Sequence, residues 1–157
     1  MFRIGIGSDT HRLAAGRQLI IGGVSVPHDA GADGYSDSDV LAHALMDAVL
    51  GAIAEGDIGV HFSDTDPQWK DGNSFQMLAQ VVKLAKKRGY HVMNADATVM
   101  LERPKLRDYI DAMRLNVART LDVDISSISV KAKTGEGLDA VGRGEAVSAQ
   151  AIVLLSD

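Results

Sequence analysis

The chain contains no cysteine. That excludes a disulfide framework, a Cys-ligated zinc site and a thiol nucleophile. Proline occurs only at Pro27, Pro67 and Pro104, and no repeat, low-complexity stretch or linker breaks the chain. No apolar run approaches the roughly 18 residues of a membrane span. The opening Met1-Phe2-Arg3-Ile4 reads as the start of a strand, without the apolar region of a signal peptide or the Arg/Ser-rich character of a transit peptide. A cytoplasmic protein with no membrane partner is therefore expected. Basic residues are in deficit: 16 Lys and Arg against 21 Asp and Glu leave a net charge of −5. That balance argues against a nucleic-acid partner, although local cations, metals or backbone amides still let an acidic protein bind phosphates.

What is present fits one domain over residues 1–157, a length that hides roughly two-thirds of its unfolded surface. Hydrophobic residues make up 46% and charged residues 24%, and these globular proportions exclude a disordered chain. Residues 2–9 alternate loosely as a strand. Residues 18–21 and 24–26 flank Gly22-Gly23, whose freedom at positive φ suits a hairpin turn. Residues 36–55 place Leu41, Leu45, Ala48, Val49, Ala52 and Ile53 at helical spacing, with Ser36 and Asp39 resembling a capping box. Residues 56–72 form a long polar loop. Helices are expected over 73–88 and 105–121, and strands over 91–101, 128–133 and 145–155. The sum is an α+β fold, with helices packed on one face of a mainly antiparallel four-stranded sheet plus a small hairpin.

The chemistry begins at Asp9-Thr10-His11. Residues two apart on a strand share a face, so a carboxylate and an imidazole project together. The pair fits a strand-end hydrogen bond as well as a metal site. His43 sits on the helix, with Asp39 and Asp47 one turn to either side. The stripe fits a solvated helix face, or a third metal ligand oriented by Asp47 or Asp39. Two imidazoles and one carboxylate would leave an open position on a tetrahedral zinc, as catalytic sites require. Gly5-Ile6-Gly7 is not a dinucleotide fingerprint, because the third glycine and the strand-to-helix context are missing. Gly135-Glu136-Gly137 and Gly142-Arg143-Gly144 fit tight turns or a backbone phosphate cradle. Lys83, Lys86, Lys87 and Arg88 complement a helix C-terminus. Pro104-Lys105 lies where a helix tolerates proline, at a first turn whose amides would face an anion.

These stretches resemble the 2-C-methyl-D-erythritol 2,4-cyclodiphosphate synthase family. The resemblance rests on Gly5-x-Gly7-x-Asp9-x-His11, Ile21-Gly22-Gly23, Ser36-Asp37-x-Asp39-Val40-x-x-His43-Ala44, Gly56-Asp57-Ile58-Gly59, Asp64-Thr65-Asp66-Pro67, Pro104-Lys105 and Gly142-Arg143-Gly144-Glu145. They run in family order over nearly the whole chain. The resemblance implies a homotrimer with active sites between neighbours. It implies a phosphorus–oxygen lyase acting on 4-diphosphocytidyl-2-C-methyl-D-erythritol 2-phosphate in the non-mevalonate isoprenoid pathway: the 2-phosphate attacks the β-phosphorus and CMP leaves. It also implies zinc, one per subunit, on Asp9, His11 and His43, and a second divalent ion, Mg²⁺ or Mn²⁺, on Glu136.

By the same resemblance, Thr134 is a phosphate-contacting hydroxyl and Ser36 a substrate contact. Asp57, Ile58 and Gly59 form the erythritol loop, and Phe62, Ser63, Asp64, Thr65 and Asp66 the stretch covering it. Leu101, Glu102, Arg103, Pro104, Lys105, Leu106 and Arg107, with Lys133, Gly135 and Glu136, form the cytidine-diphosphate wall. Ala140 and Arg143 close the substrate set. Familiar family members have His before Ser-Asp-x-Asp where this chain has Tyr35, so the catalytic role of that position falls to a neutral hydroxyl. Two other readings stay open: a metal-dependent phosphodiesterase that uses the same triad but activates water, and a trimeric ligand-binding regulator without catalysis, which would hold no metal at Asp9, His11 and His43.

Overall fold

A computed structural model describes all 157 residues. The chain forms β1 (Phe2–Ala15), β2 (Leu19–Ile21), β3 (Val24–Val26), β4 (Ala30–Ala32), α1 (Val40–Ala52), α2 (Ile58–His61), α3 (Ser74–Lys87), β5 (His91–Met100), α4 (Ile110–Leu121), β6 (Ile128–Lys133) and β7 (Ala146–Ser156). The α+β expectation holds. The sheet has five strands in the order β4-β1-β7-β5-β6, and β2 and β3 form a separate hairpin. Every pairing in the large sheet is antiparallel except β5 with β6.

Four differences from the sequence reading have physical causes. The sheet gains β4, an Ala-Gly-Ala segment too short and featureless to show a strand pattern, which pairs with Leu13–Ala15. β1 continues past Asp9 because β7 pairs with it as far as Arg12, although polar side chains there erase the alternation. Helix α1 starts at Val40, not Ser36: Asp39 is itself the cap and accepts from the Leu41 and Ala42 amides. Helix α4 starts at Ile110, after a short turn over Arg107–Tyr109, so Pro104 lies well before it and its neighbours' amides do not form a helix terminus.

Helix α1 is the hub. It packs on β1 and β7 and against α3, so Val40, Leu41, Ala44, Leu45, Ala48 and Val49 are all buried and almost no side of it meets water. Gly5 and Gly7 allow this packing. A Cβ at Gly5 would lie 1.8 Å from the Ala48 carbonyl oxygen, and one at Gly7 2.0 Å from that of Ala44. The two glycines therefore act in close helix-to-strand packing. At the β2–β3 turn, Gly22 and Gly23 both take positive φ, 61° and 70°, as the expected hairpin needs. The opposite face of the sheet carries no helix, and Phe2, Ile4, Ile6 and Ile152 are exposed there. No helix is long and apolar enough to cross a membrane.

Candidate metal centre and adjoining cleft

Strand β1 and helix α1 bring together the three groups singled out from spacing. Asp9 Oδ2 lies 2.9 Å from His11 Nε2 and 2.9 Å from His43 Nδ1. The two ring nitrogens are 3.3 Å apart. One ligand atom from each residue falls within a 4.8 Å cluster, the donor set of a divalent-cation site.

Each imidazole is oriented through its other nitrogen. His11 Nδ1 lies 2.8 Å from the Asp33 carbonyl oxygen, which can only accept, so Nδ1 carries a proton. His43 Nε2 is 3.0 Å from Ser74 Oγ and 3.2 Å from Ser36 Oγ. Burial pushes the Asp9 carboxyl up, but hydrogen bonds and charge from both imidazoles outweigh it and hold the group well below the usual carboxylate range. The hydrogen bond to Asp9 in turn raises His11 above the ordinary histidine value. The ionised Asp9 carboxylate suits a cation, which would bind in competition with the proton on His11.

The expected partners of His43 are corrected. Neither Asp47 nor Asp39 touches its ring. Asp39 is fully buried and accepts from Gly22 N at 2.9 Å, Gly23 N at 2.6 Å, Leu41 N at 3.2 Å and Ala42 N at 3.1 Å. Burial pushes its carboxyl up to about 6, partly offset by those donors. It ties the hairpin turn to the start of α1. Asp47 accepts from the Ile58 amide at 2.8 Å, and burial raises its pKa. It braces the Asp57–Gly59 loop against α1, and Asp57 caps α2 through Val60 N.

Around the metal centre, residues 62–72 fold over on their own contacts. Phe62 meets Trp69 edge-on at 5.0 Å, and Ser63 and Thr65 join hydroxyls at 2.7 Å. Asp66 caps the turn over Pro67–Trp69, and Asp64 is exposed. Tyr35 belongs to this segment: its hydroxyl donates to the Asp66 carbonyl at 3.2 Å, and its own carbonyl accepts from Asp71 N at 2.8 Å.

Past the C-terminal ends of β5 and β6, Leu101, Pro104, Lys105, Leu106, Arg107, Lys133 and Thr134 line a cavity of about 630 Å³ with Asp108, Ile110 and Ala132. Glu102 binds the Gly135 amide at 3.0 Å and so joins the two walls, while Arg103 points to solvent. Thr134 Oγ1 donates to Glu136 Oε1 at 2.5 Å, and Glu136 is outside the Asp9–His11–His43 cluster. Ala140 is half-buried, and Arg143 is exposed and held by Glu145 through two contacts of 3.1 Å. Neither Ser74 nor the Asp33 carbonyl carries a signature of this role in the sequence. A serine at a helix start reads as a cap, and a backbone acceptor has no residue signature.

An α+β scaffold with a carboxylate–imidazole cluster fit to hold a metal ion, and a separate Lys- and Arg-edged cleft fit for a small anionic ligand, defines the class. More particularly, the YgbB family model matches residues 2–156, and the chain belongs to that family. It is 54% identical over 155 residues to the 2-C-methyl-D-erythritol 2,4-cyclodiphosphate synthase of Geobacillus kaustophilus, covering 99% of this chain and 98% of that one. It is 57% identical over 149 residues to the synthase of the same name from Salinibacter ruber, covering 95% of each. Among solved structures it superposes on a CDP-bound form of 2C-methyl-D-erythritol-2,4-cyclodiphosphate synthase with a TM-score of 0.91 at 40% identity, covering 98% of this chain and 100% of that one. It also superposes on the bifunctional IspDF of Campylobacter jejuni with a TM-score of 0.94 at 41% identity, covering 99% of this chain but 42% of that longer one.

Proposed function

We propose that the chain, as one domain over residues 1–157, converts 4-diphosphocytidyl-2-C-methyl-D-erythritol 2-phosphate to 2-C-methyl-D-erythritol 2,4-cyclodiphosphate and CMP, in the cytoplasm and as a phosphorus–oxygen lyase of isoprenoid synthesis. The observation that carries this is the Asp9–His11–His43 cluster, within 4.8 Å, in a chain 54% identical over its length to a synthase of that name. A 2-phosphate oxygen forms a bond to the β-phosphorus as the bond to the CMP oxygen breaks, so no water is consumed. The reacting groups belong to one molecule, and holding them in attack geometry supplies roughly 7–11 kcal/mol of the barrier.

The donor set suits zinc on Asp9, His11 and His43, one per subunit, and the carboxylate of Glu136 suits a harder Mg²⁺ or Mn²⁺. Such cations offset the repulsion between the two phosphates and stabilise the charge of the transition state. The residues of the chain do the remainder. Asp57, Ile58 and Gly59, braced by Asp47, seat the erythritol. The 630 Å³ cavity between Leu101–Arg107 and Lys133–Thr134 takes the cytidine diphosphate. Thr134, Arg143 and Lys133 complete the polar contacts, the buried Ser36 hydroxyl turns to His43 Nε2 instead, and Phe62–Asp66 screen the site from water.

The active protein is proposed to be a homotrimer. Three strand spacings separate β1 from β6, roughly 14 Å at about 4.8 Å each, which separates the cluster from the cavity within one chain. Phe2, Ile4, Ile6 and Ile152 leave an apolar sheet face for neighbours to cover. Neighbouring copies can then set one chain's cluster against another's cavity.

Incubating the purified chain with the diphosphocytidyl substrate, Zn²⁺ and Mg²⁺ tests the reaction by phosphorus NMR. Cyclic diphosphate and CMP are expected in equal amounts. A hydrolysed nucleotide would instead make it a phosphodiesterase, and binding without turnover a regulator.

Tyr35 is expected to act through the loop. Its single hydroxyl proton already donates to Asp66, so it has none for a phosphate while that bond holds. Losing one neutral hydrogen bond costs about 0.5–1.5 kcal/mol. Tyr35→Phe should therefore lower kcat/KM by roughly 2- to 12-fold, chiefly through KM. A fall in kcat alone, at unchanged KM, would return the hydroxyl to the transition state.

A further inference from the structure

The imidazole of His43 is backed by a hydrogen-bonded chain that none of the site assignments above includes. Ser74 is the first residue of α3, completely buried, and its Oγ lies 3.0 Å from His43 Nε2. With Nδ1 turned to Asp9 as a ligand atom, Nε2 carries the proton and donates to Ser74 Oγ. The Ser74 hydroxyl then donates to Asp37 Oδ1, while Asp37 Oδ2 accepts from the Ser74 amide at 3.1 Å. Asp37 is fixed in turn: its amide donates to the Gly72 carbonyl at 3.0 Å, and its Oδ1 accepts from Asp39 N at 3.2 Å. Ser36 Oγ, 3.2 Å from Nε2 and 3.4 Å from Ser74 Oγ, is already engaged by the Ser38 amide at 3.1 Å and flanks the chain.

We propose that Asp37 and Ser74 are positioning residues for the metal centre, a carboxylate–hydroxyl–imidazole chain that fixes the tautomer and tilt of His43. The proposal rests on the reading of Asp9, His11 and His43 as metal ligands. The chemistry is directional. A ligating imidazole is a better donor to a cation when its far N–H is given to a negatively polarised acceptor, and groups in that role typically govern metal affinity by about 10–100-fold. A neutral serine alone polarises weakly; a serine that donates to a carboxylate passes part of that charge to the ring. The sources of the parts matter as well. His43 comes from α1, Ser74 from α3 and Asp37 from the segment before α1, so the chain also makes His43 orientation depend on how α3 starts. That start lies directly after the loop over residues 62–72, and the Gly72 carbonyl on Asp37 is its last link. The loop that covers the substrate and the imidazole that holds the metal thereby share one carboxylate.

The test is zinc affinity, measured by competition with a chromophoric chelator, together with thermal melting of the metal-free proteins. Ser74→Ala should bind zinc about 10–100-fold more weakly than the parent, with metal-free melting little changed, and Ser74→Thr, which keeps the hydroxyl, should recover most of the affinity. If Ser74→Ala does not fold, Asp37→Asn answers the question. It keeps an oxygen acceptor for the hydroxyl but removes the charge, and should weaken zinc by about tenfold. Zinc affinity within twofold of the parent, in a folded Ser74→Ala or in Asp37→Asn, overturns the proposal and leaves the metal centre standing. A parent that binds no zinc overturns the metal centre and the proposal together.

Discussion

Replacing His43 with alanine should empty the metal centre and lower turnover by at least about 10³-fold. The charge stabilisation supplied by a catalytic cation is worth several kcal/mol, and each ~1.4 kcal/mol is tenfold in rate. His43 provides one of the three ligand atoms and is the only one carried by a helix. Asp9 and His11, left alone on β1, make a two-ligand site that a chelator strips readily. The fold should persist, because alanine is the best helix former and the core contacts of α1 come from Leu41, Leu45, Ala48 and Val49. The comparison is with metal-free parent: melting within a few degrees of it, zinc below about a tenth per chain, and no cyclic product. Full zinc occupancy in the variant would reject the ligand assignment. The same variant probes the proposed trimer. If His43 of one subunit and Glu136 of its neighbour serve one site, mixing His43→Ala with Glu136→Ala subunits restores about a quarter of the sites. Verified mixed trimers with no recovered activity would argue against sharing.

The parts of this architecture that show in the sequence are those with a local rule behind them. Asp9 and His11 share a face because strand side chains alternate, and His43 falls opposite them because a helix follows. The Gly22–Gly23 hairpin and the span of β6 are read directly from turn chemistry and pattern. What the pattern misassigned is also instructive. Asp39 and Asp47 share a spacing with His43, and spacing alone made them its partners. Yet a helix buried nearly all round meets a different neighbour on each side, so Asp39 went to the hairpin amides and Asp47 to Ile58. Ser74 lies 31 residues from His43, and only the packing of α3 on α1 brings them together. β4 leaves no pattern in the sequence because it is a strand through its partner's hydrogen bonds and not through its own side chains.

Gly7→Ala should damage stability and metal binding together. Its Cβ would sit 2.0 Å from the Ala44 carbonyl oxygen, 2.6 Å from Ala48 N and 2.9 Å from Asp47 Cβ. The first two are helix backbone, so no rotamer change relieves them, and the strand and α1 have to part by about an ångström. Overpacking of a well-filled core typically costs about 1–3 kcal/mol, and backbone against backbone belongs at the upper end. A loss near 3 kcal/mol lowers the melting temperature by roughly 6–12 °C in a chain of this size. The functional effect compounds this. Gly7 stands two residues before Asp9, and Ala44 follows His43, so the separation occurs between the two carriers of the metal ligands. Metal sites tolerate ligand displacements of only about 0.2 Å, so zinc affinity should fall together with stability. Gly51→Ala is the control on the same helix. Its Cβ would meet only the Ile6 carbonyl oxygen at 3.9 Å, and alanine is favoured over glycine in a helix by about 1 kcal/mol. It should leave zinc binding unchanged and melt no lower than the parent. Gly7→Ala melting within about 2 °C of the parent, with parental zinc affinity, would mean that the contact between β1 and α1 yields without disturbing the metal centre.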